Sequence, residues 1–417
     1  LAIDTQHFGH LFRRPGIARA LSILNSGGEE ARVVGGAARN VLTGLPVSDI
    51  DLATTAPPDE VVRRATAAGL RVVLTGIEHG TVTLVVDDTP FEVTTLRQDI
   101  ETFGRKARVA FGRDWKADAE RRDFTMNALS ISPDGMVHDY VGGRADLEAS
   151  RVRFIGDPAR RIAEDYLRIL RFFRFQASYA QGPPDAEGLH ACIVAREGLR
   201  GLSRERIRAE LMKLVVAPFA LPTLEVMAEA GFAEQLLGGI ALLASCANLI
   251  RVERAAGVAP DPVRRLGALG VLVAEDTERL REKLRLFNSE YDRLASIADR
   301  WWRVSPVLAE AGARVLLYRL GPVRYVDRVL IAWTRAPQGV ADSAWLALAT
   351  LPTRWSAPRF LLKSADLVAR GVPKGPALGA AMRDAKEAWI AAGFPQDEVV
   401  LDRLANDAAR CANGARD

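Results

Sequence analysis

The spacing of apolar residues changes character near Asp157, and that change restricts the chain to two differently built parts. Over roughly the first 150 residues, short β-branched runs alternate with helical patterns. The runs are Ala31–Val34, Ser48–Leu52, Arg71–Leu74, Thr81–Val86, Phe91–Leu96 and Ala128–Ser132. Turns rich in Gly and Asp separate them, and Val86-Asp87-Asp88-Thr89-Pro90 reads as the bend of a hairpin. Beyond Asp157, apolar residues recur at three and four positions, as in Asp157–Ala177, Ser203–Val216, Leu221–Ala230 and Thr277–Phe287. The expected architecture is a domain built on a small mixed sheet, α/β or α+β, followed by an elongated all-helical remainder.

Composition narrows the function classes. With 417 residues, 48% hydrophobic and 26% charged, the chain can bury a sizeable core and reads as an ordinary globular protein. A net charge of +4 permits nucleic-acid binding without establishing it. Arg outnumbers Lys by 49 to 7, which fits either phosphate gripping or a GC-rich genome, so each arginine is argued by position. Cys192, Cys246 and Cys411 are far apart and form no CxxC pair, which excludes a disulfide scaffold and a Cys-rich zinc site. Leu1–Arg14 shows no apolar core followed by a small-residue cleavage site, and the apolar stretch Leu236–Ile250 is too short to span a bilayer. A cytoplasmic protein with no membrane partner is expected; nothing here sets its oligomeric state.

Three constellations carry chemistry. In the first, Val33-Val34-Gly35-Gly36-Ala37-Ala38-Arg39-Asn40 reads as a strand, a two-glycine turn and a helix ending near Gly44. Such a turn lets backbone approach a bulky anion, and the helix offers free N–H groups, with Arg39 one turn further on. About a dozen residues later, Ser48-Asp49-Ile50-Asp51-Leu52 places two carboxylates two apart in a β-type run, hence on one face. Hard oxygen ligands at that spacing suit Mg²⁺, and two such ions can activate a 3′ hydroxyl while neutralising a triphosphate. A solvated edge strand is the plainer alternative. Glu92 lies on another predicted strand and reaches the pair only if the two strands are neighbours.

The second constellation, Arg121-Arg122-Asp123-Phe124-Thr125-Met126-Asn127-Ala128, packs two cations, a carboxylate and an amide ahead of an apolar run. Arg122 would serve a triphosphate, and Asp123 and Asn127 would orient the ribose or brace the loop; a helix-capping cluster is the alternative. The third spans Arg161 to Phe175. At about 100° per residue, Glu164, Asp165, Arg168 and Arg171 fall on one side of a single helix, while Tyr166, Ile169, Leu170 and Phe173 point elsewhere and can anchor it. Carboxylate beside guanidinium suits the Watson–Crick edge of a base, although a row of surface ion pairs has the same spacing. In Leu202–Leu211, Ser203 is a fair N-cap and Arg206 with Glu210 forms an i,i+4 pair, so helix support is the expected role.

Together these segments resemble the class II tRNA nucleotidyltransferase and bacterial poly(A) polymerase family. The matching pieces are Gly35-Gly36-x-x-Arg39-Asn40, Asp49-x-Asp51, Arg121–Ala128, Glu164-Asp165-x-x-Arg168 and Leu202-Ser203-x-Glu205-Arg206, in the family's order. The resemblance implies an α+β fold with a polymerase-β-like nucleotidyltransferase head over 1–150. A helical neck that recognises the base would follow over 151–216, and a helical body and tail that bind tRNA over 217–417. It assigns Asp49 and Asp51 to catalysis and Mg²⁺, and puts Gly35, Gly36, Arg39, Arg122, Asp123 and Asn127 near the nucleotide. Glu164, Asp165 and Arg168 would then lie at the base, with Arg171 and Arg174 holding phosphates or the template helix. CTP and ATP are the implied substrates and CCA addition to the 3′ end of tRNA the implied activity.

One position departs from the pattern: Asn40 stands where the family usually has Asp, removing a charge but keeping hydrogen-bonding capacity. His138-Asp139 has no supporting ligand spacing and matches a family turn, Asp139-Tyr140-Val141-Gly142-Gly143. Asp99–Lys106 retains the segment used in switching from C to A, and Glu78-His79-Gly80-Thr81-Val82 resembles the tRNA-repair branch; both favour full CCA addition. Partial CC or A addition, poly(A) tailing and a catalytically silent RNA-binding protein are the alternatives.

Overall fold

The computed structural model describes residues 11–12, 15–47, 49–74, 76–77, 80–103, 106–336 and 342–414. They form two compact units, Leu1–Leu243 with Arg279–Leu286, and Ala244–Glu278 with Phe287–Asp417.

The first unit opens with α1 (Pro15–Leu24), then β1 (Ala31–Val34), α2 (Gly35–Leu42), β2 (Asp51–Thr54), α3 (Pro58–Ala67), β3 (Arg71–Val73), β4 (Thr81–Val86) and β5 (Thr89–Thr95). A two-stranded pair, β6 (Arg97–Phe103) and β7 (Lys106–Phe111), precedes α4 (Trp115–Glu120), β8 (Ser130–Ile131), β9 (Val137–His138) and α5 (Gly143–Glu148). The main sheet runs β3-β4-β5-β2-β1-β8-β9. Among the described residues only β2 and β5 pair in parallel; the other ladders are antiparallel, giving the small mixed sheet expected from the sequence. Asp87 and Asp88 both take positive φ at the β4–β5 bend, the backbone twist that a tight hairpin demands.

One strand differs from its expected span. β2 begins at Asp51 rather than Ser48, because its partner β1 ends where Val34 pairs with Asp51 and the chain turns into α2 at Gly35. Asp49 therefore precedes the ladder, and Ser48 lies outside the described residues.

Helices complete the unit: α6 (Pro158–Glu164), α7 (Leu167–Tyr179), α8 (Ala186–Val194), α9 (Arg204–Val215), α10 (Ala220–Glu229) and α11 (Phe232–Leu237). The continuous helix expected over Arg161–Phe175 is broken. Asp165 is extended (φ −155°, ψ 108°), and its carboxylate accepts from the Leu167 N–H at 3.1 Å, so it ends α6 and helps start α7. Ile169, Leu170 and Phe173 are buried as expected, and the Phe173 ring joins those of Phe124, Phe154, Phe172 and Phe232 in an aromatic core. Tyr166 instead stays partly exposed, its ring lying over Gly198, where any side chain would collide with it.

The second unit is helical: α12 (Leu243–Ala256), α13 (Pro262–Gly270), part of α14 (Ala274–Leu284), α15 (Asn288–Ala298), α16 (Glu310–Arg335), α17 (Asp342–Ala349), α18 (Leu351–Arg354), α19 (Ser364–Val368), α20 (Pro376–Ala391) and α21 (Glu398–Gly414). α16 bends at Gly321-Pro322, where Gly321 leaves helical geometry (φ 74°, ψ 165°). Its interior holds a buried ionic network. Asp327 accepts from Arg293 and Arg264, and Glu253 accepts from Arg264 and Arg265. No described helix is long and apolar enough to cross a membrane.

Candidate active site

The site grows from the end of β1. Val33 and Val34 are buried in the sheet, and the chain reverses into α2 through Gly35, whose φ of +64° disfavours any side chain. A Cβ there would stand 3.4 Å from a terminal nitrogen of Arg122 and 3.9 Å from a carboxylate oxygen of Asp51. The two-glycine turn, the aspartate and the arginine thus meet at one point.

Asp51 heads β2 and is the parallel-register partner of Glu92 on β5. The neighbouring strand placement that Glu92 required is present. Partial burial, then the Glu92 charge and more weakly that of Asp49, push the Asp51 carboxyl above its ordinary value, with Arg122 opposing. Three oxygen-donor side chains therefore act on the same small region, and their mutual repulsion is what a divalent cation would relieve. Among the described residues no group of three or more His, Cys, Asp or Glu side chains is placed to hold a metal ion by itself. Carboxylate oxygens are hard donors that suit a divalent cation able to complete its shell with other oxygens.

Arg122 is aimed by the buried Asp118, which accepts from its Nε and Nη2 at 3.2 and 3.1 Å, while Nη1 donates to the Asn127 carbonyl at 3.3 Å. Asp123 points the other way. It accepts from Asn127 at 3.0 Å, from its neighbour's Phe124 N–H, and from Arg171 on α7 at 2.7 Å. Burial alone would raise the Asp123 carboxyl, but Arg171 and these bonds bring it below the ordinary carboxylate range.

The opposite wall comes from α6, α7 and α9. Glu164 accepts from Arg161 at 2.7 Å and from Arg168 at 2.5 Å, and Arg168 also donates to the Arg161 carbonyl at 2.6 Å. Asp165 accepts from Arg206 of α9 at 2.6 Å. Burial works against the Asp165 charge, but Arg206 and the Leu167 N–H outweigh it and lower the carboxyl. Arg174 pairs with Glu210 at 2.5 Å.

These walls enclose a cleft of about 510 Å³ lined by Gly35, Gly36, Arg39, Asp51, Arg122, Asp123, Asn127, Asp165, Leu167, Arg168, Arg171, Phe175 and Arg206. Most residues singled out in the sequence thus share one cavity. Asp49, Glu92, Glu164 and Arg174 are outside that lining; Glu164 reaches it through Arg168, and Arg174 through Phe175, over whose ring its guanidinium sits at 4.4 Å. Cavities of about 740 and 610 Å³ in the same unit are larger but contain neither the Gly35–Gly36 turn nor Asp51.

Two local expectations change. Ser203 occupies the N-cap position of α9 without a side-chain capping bond, and Arg206 does not pair with Glu210. Arg206 serves Asp165 and Glu210 serves Arg174, because the broken helix brings α7 and α9 side by side. Sequence reading had no access to Arg206 as a cleft residue, since only a non-local partner reveals it. Asp118 and Arg161 were missed for the same reason; Arg161 donates to the carbonyls of Arg121 and Arg122 as well as to Glu164. His138 makes no metal-like cluster: it shares a hydrogen bond with Ser132, while Asp139 accepts from the N–H groups of Val141, Gly143 and Arg144, building a turn. Asn40 uses both ends of its amide, accepting from Arg39 at 3.1 and 3.2 Å and donating to the Pro46 carbonyl at 2.9 Å. Glu78, His79, Gly104 and Arg105 lie outside the described residues.

Comparison with known proteins bears on the whole chain. Residues 31–153 match the Poly A polymerase head domain, and residues 187–243 match the family described as a probable RNA and SrmB-binding site of polymerase A. The mitochondrial CCA tRNA nucleotidyltransferase 1 of Danio rerio is 34% identical over 93% of this chain and 90% of its own length. A CCA-adding enzyme of Limosilactobacillus fermentum is 31% identical over 93% and 92%. The crystal structure of the Bacillus stearothermophilus CCA-adding enzyme in complex with CTP superposes with a TM-score of 0.72 at 25% identity, covering 97% of this chain and 99% of that one.

Proposed function

Because the chain belongs to the CCA-adding tRNA nucleotidyltransferase family, we propose that it adds CCA to the 3′ end of tRNA, using CTP and then ATP. The supporting observation is the cleft itself. A glycine turn, Arg122 and Asp51 form one wall, with Glu92 the register partner of Asp51 on the next strand, and Asp165, Arg168 and Arg206 form the other. In the reaction, the primer 3′ oxygen bonds to the α-phosphorus of the incoming nucleotide as the bond to pyrophosphate breaks.

Asp49 and Asp51 are the proposed Mg²⁺ ligands, with Glu92 as a further oxygen donor on the neighbouring strand. Bound there, Mg²⁺ supplies charge neutralisation for the triphosphate and activation of the attacking hydroxyl. The residues of the chain do the rest. Gly35 and Gly36 let the backbone come within contact distance of phosphate, and Arg122, fixed by Asp118, adds a directed cationic donor. Asp165 accepts from the exocyclic amino group of cytosine or adenine, and Arg168 donates to the adjacent ring nitrogen. Uracil and guanine present the opposite donor–acceptor order and offer neither group a matching base partner, which is how a site without a nucleic-acid template discriminates. Glu164 holds the Arg168 guanidinium in place for that task.

The division into a catalytic head over 1–150, a neck over 151–216 and a tRNA-binding body and tail over 217–417 belongs to the same proposal. Backbone and shape contacts to the acceptor arm suit an Arg-rich helical remainder. A cytoplasmic location is proposed on the three unpaired cysteines.

The test is incubation with tRNA lacking CCA, labelled CTP and ATP, and Mg²⁺, followed by sequencing of the 3′ ends. Full CCA ends are expected. Ends stopping at CC, ends gaining only A after a supplied CC, or long A tails would replace this product with a narrower or different one. No incorporation at all would sink the enzymatic reading.

A further inference from the structure

Arg39 has a set of partners that reaches well beyond its own turn. It is only 5% exposed, and burial pushes its guanidinium down to about 10, so it remains a cation at neutral pH. Its hydrogen bonds go to neutral acceptors: the Asn127 side-chain oxygen at 2.5 Å, the Asn40 side-chain oxygen, and the Tyr179 hydroxyl at 2.6 Å. The Tyr179 ring also faces the guanidinium at 3.9 Å from its centroid, and Phe175 does so at 5.2 Å. A buried cation is thus held by an oxygen and by the negative face of a ring on one and the same residue.

We propose that Tyr179 is a positioning residue for nucleotide selection, acting through Arg39; the inference rests on the function proposed above. Arg168, Arg171, Phe175 and Tyr179 follow one another along α7 at steps of three and four, so they share a face, and all but Tyr179 line the cleft. Tyr179 is the last residue of that helix. Arg39 lies beneath the glycine turn, with its Nη2 3.6 Å from where a Cβ on Gly36 would be. The Tyr179–Arg39 contact therefore ties the far end of the base-reading helix to the floor of the phosphate side. A second tie runs from Arg39 through Asn127 and Asp123 to Arg171, nearer the other end. The buried rings of Phe172 and Phe173 hold the body of the helix, and the two ties set its tilt at different heights.

With Arg171 still tied, Arg168 lies about 4.5 Å along the axis from that pivot and Tyr179 about 12 Å on the other side, so a rotation of about 13° moves Arg168 by about 1 Å. A misplacement of that size can cost about 10²-fold in rate when it falls on the reacting geometry. It falls here on the pair that matches donors and acceptors of the base, so the loss is unequal among nucleotides.

The experiment compares Tyr179→Phe and Tyr179→Leu with the unmodified protein, measuring kcat and KM separately for CTP and UTP on tRNA lacking CCA, alongside Tm. Phe keeps a ring over the guanidinium and loses the acceptor; Leu loses both. The expected result is a fall in the CTP-over-UTP ratio of kcat/KM of about tenfold for Leu and about threefold for Phe. Variants that slow both nucleotides alike and keep the ratio would show a packing role only and overturn the inference. If the Leu variant does not fold, an unchanged ratio in the Phe variant overturns it. Failure of the unmodified protein to add any nucleotide would overturn the function proposed above, and this inference with it; normal addition with unchanged ratios would remove this inference alone.

Discussion

Asp51 stands directly beside Glu92 in the parallel ladder of β2 and β5, which sets a second carboxylate next to the one that lines the cleft. Burial and the neighbouring charges raise the Asp51 carboxyl above its ordinary value. For an acid whose folded-state pKa is raised, the folded protein holds the proton more tightly than the unfolded chain. The ionised form then weakens folding at every pH above the folded pKa, and the penalty fades as pH falls through the window between the two values. Asp51→Asn is expected to raise Tm at pH 7 in the absence of divalent ions while removing activity. Adding Mg²⁺ should stabilise the unmodified protein and leave the variant unmoved. A variant that melts lower than the parent at pH 7 would contradict the repulsion.

Asp49→Ala removes the second proposed ligand. Nucleotide addition is expected to fall by about 10³-fold or more, while tRNA affinity stays within about threefold because the proposed tRNA contacts are assigned to the helical remainder. Single-turnover rates with filter-binding affinities on the same preparation separate the two. Near-normal turnover would refute the metal assignment.

Asp165→Ala is expected to degrade the choice among CTP, ATP, UTP and GTP more than it weakens overall nucleotide binding. Arg206→Ala should do the same to a smaller degree, about tenfold in selectivity, since Arg206 holds the Asp165 carboxylate at 2.6 Å. The Asp165 carboxyl is lowered in the folded state, so the ion pair's contribution is present above the ordinary carboxylate pKa and is lost as pH falls through the lowered one. Four-nucleotide competition checks the pair; unchanged selectivity in both variants removes the template role.

Asp327→Ala breaks the buried network of the second unit, leaving Arg293 and Arg264 without their shared acceptor. Removing one partner of a fully buried ionic group costs about 3 to 5 kcal/mol. Denaturant unfolding followed by tryptophan fluorescence should show that loss, with CTP affinity within about twofold of the parent. A midpoint unchanged by the substitution would mean that the network contributes nothing to stability.

The sequence by itself determined a good deal. Strand and helix periodicity separated the sheet-bearing part from the helical remainder, because side-chain burial imposes period two on one and 3.6 on the other. The hairpin at Asp87-Asp88 and the turn at Gly35 were legible because each depends on local backbone geometry, whereas the β-run expected to carry both Asp49 and Asp51 starts only at Asp51.

Tertiary structure decided what depends on distant partners. That Glu92 neighbours Asp51 follows from the order of strands in the sheet, which no local pattern encodes. The break at Asp165 was invisible to helical periodicity, since a residue can leave the helix when its carboxylate finds both a backbone N–H and Arg206. Arg39 looked from its spacing like a cation for a phosphate, and only the approach of the end of α7 gave it Tyr179. Local chemistry nominates the groups, but charge and hydrogen-bond pairing across 40 to 140 residues of chain decide which of them face the substrate and which hold the others in place.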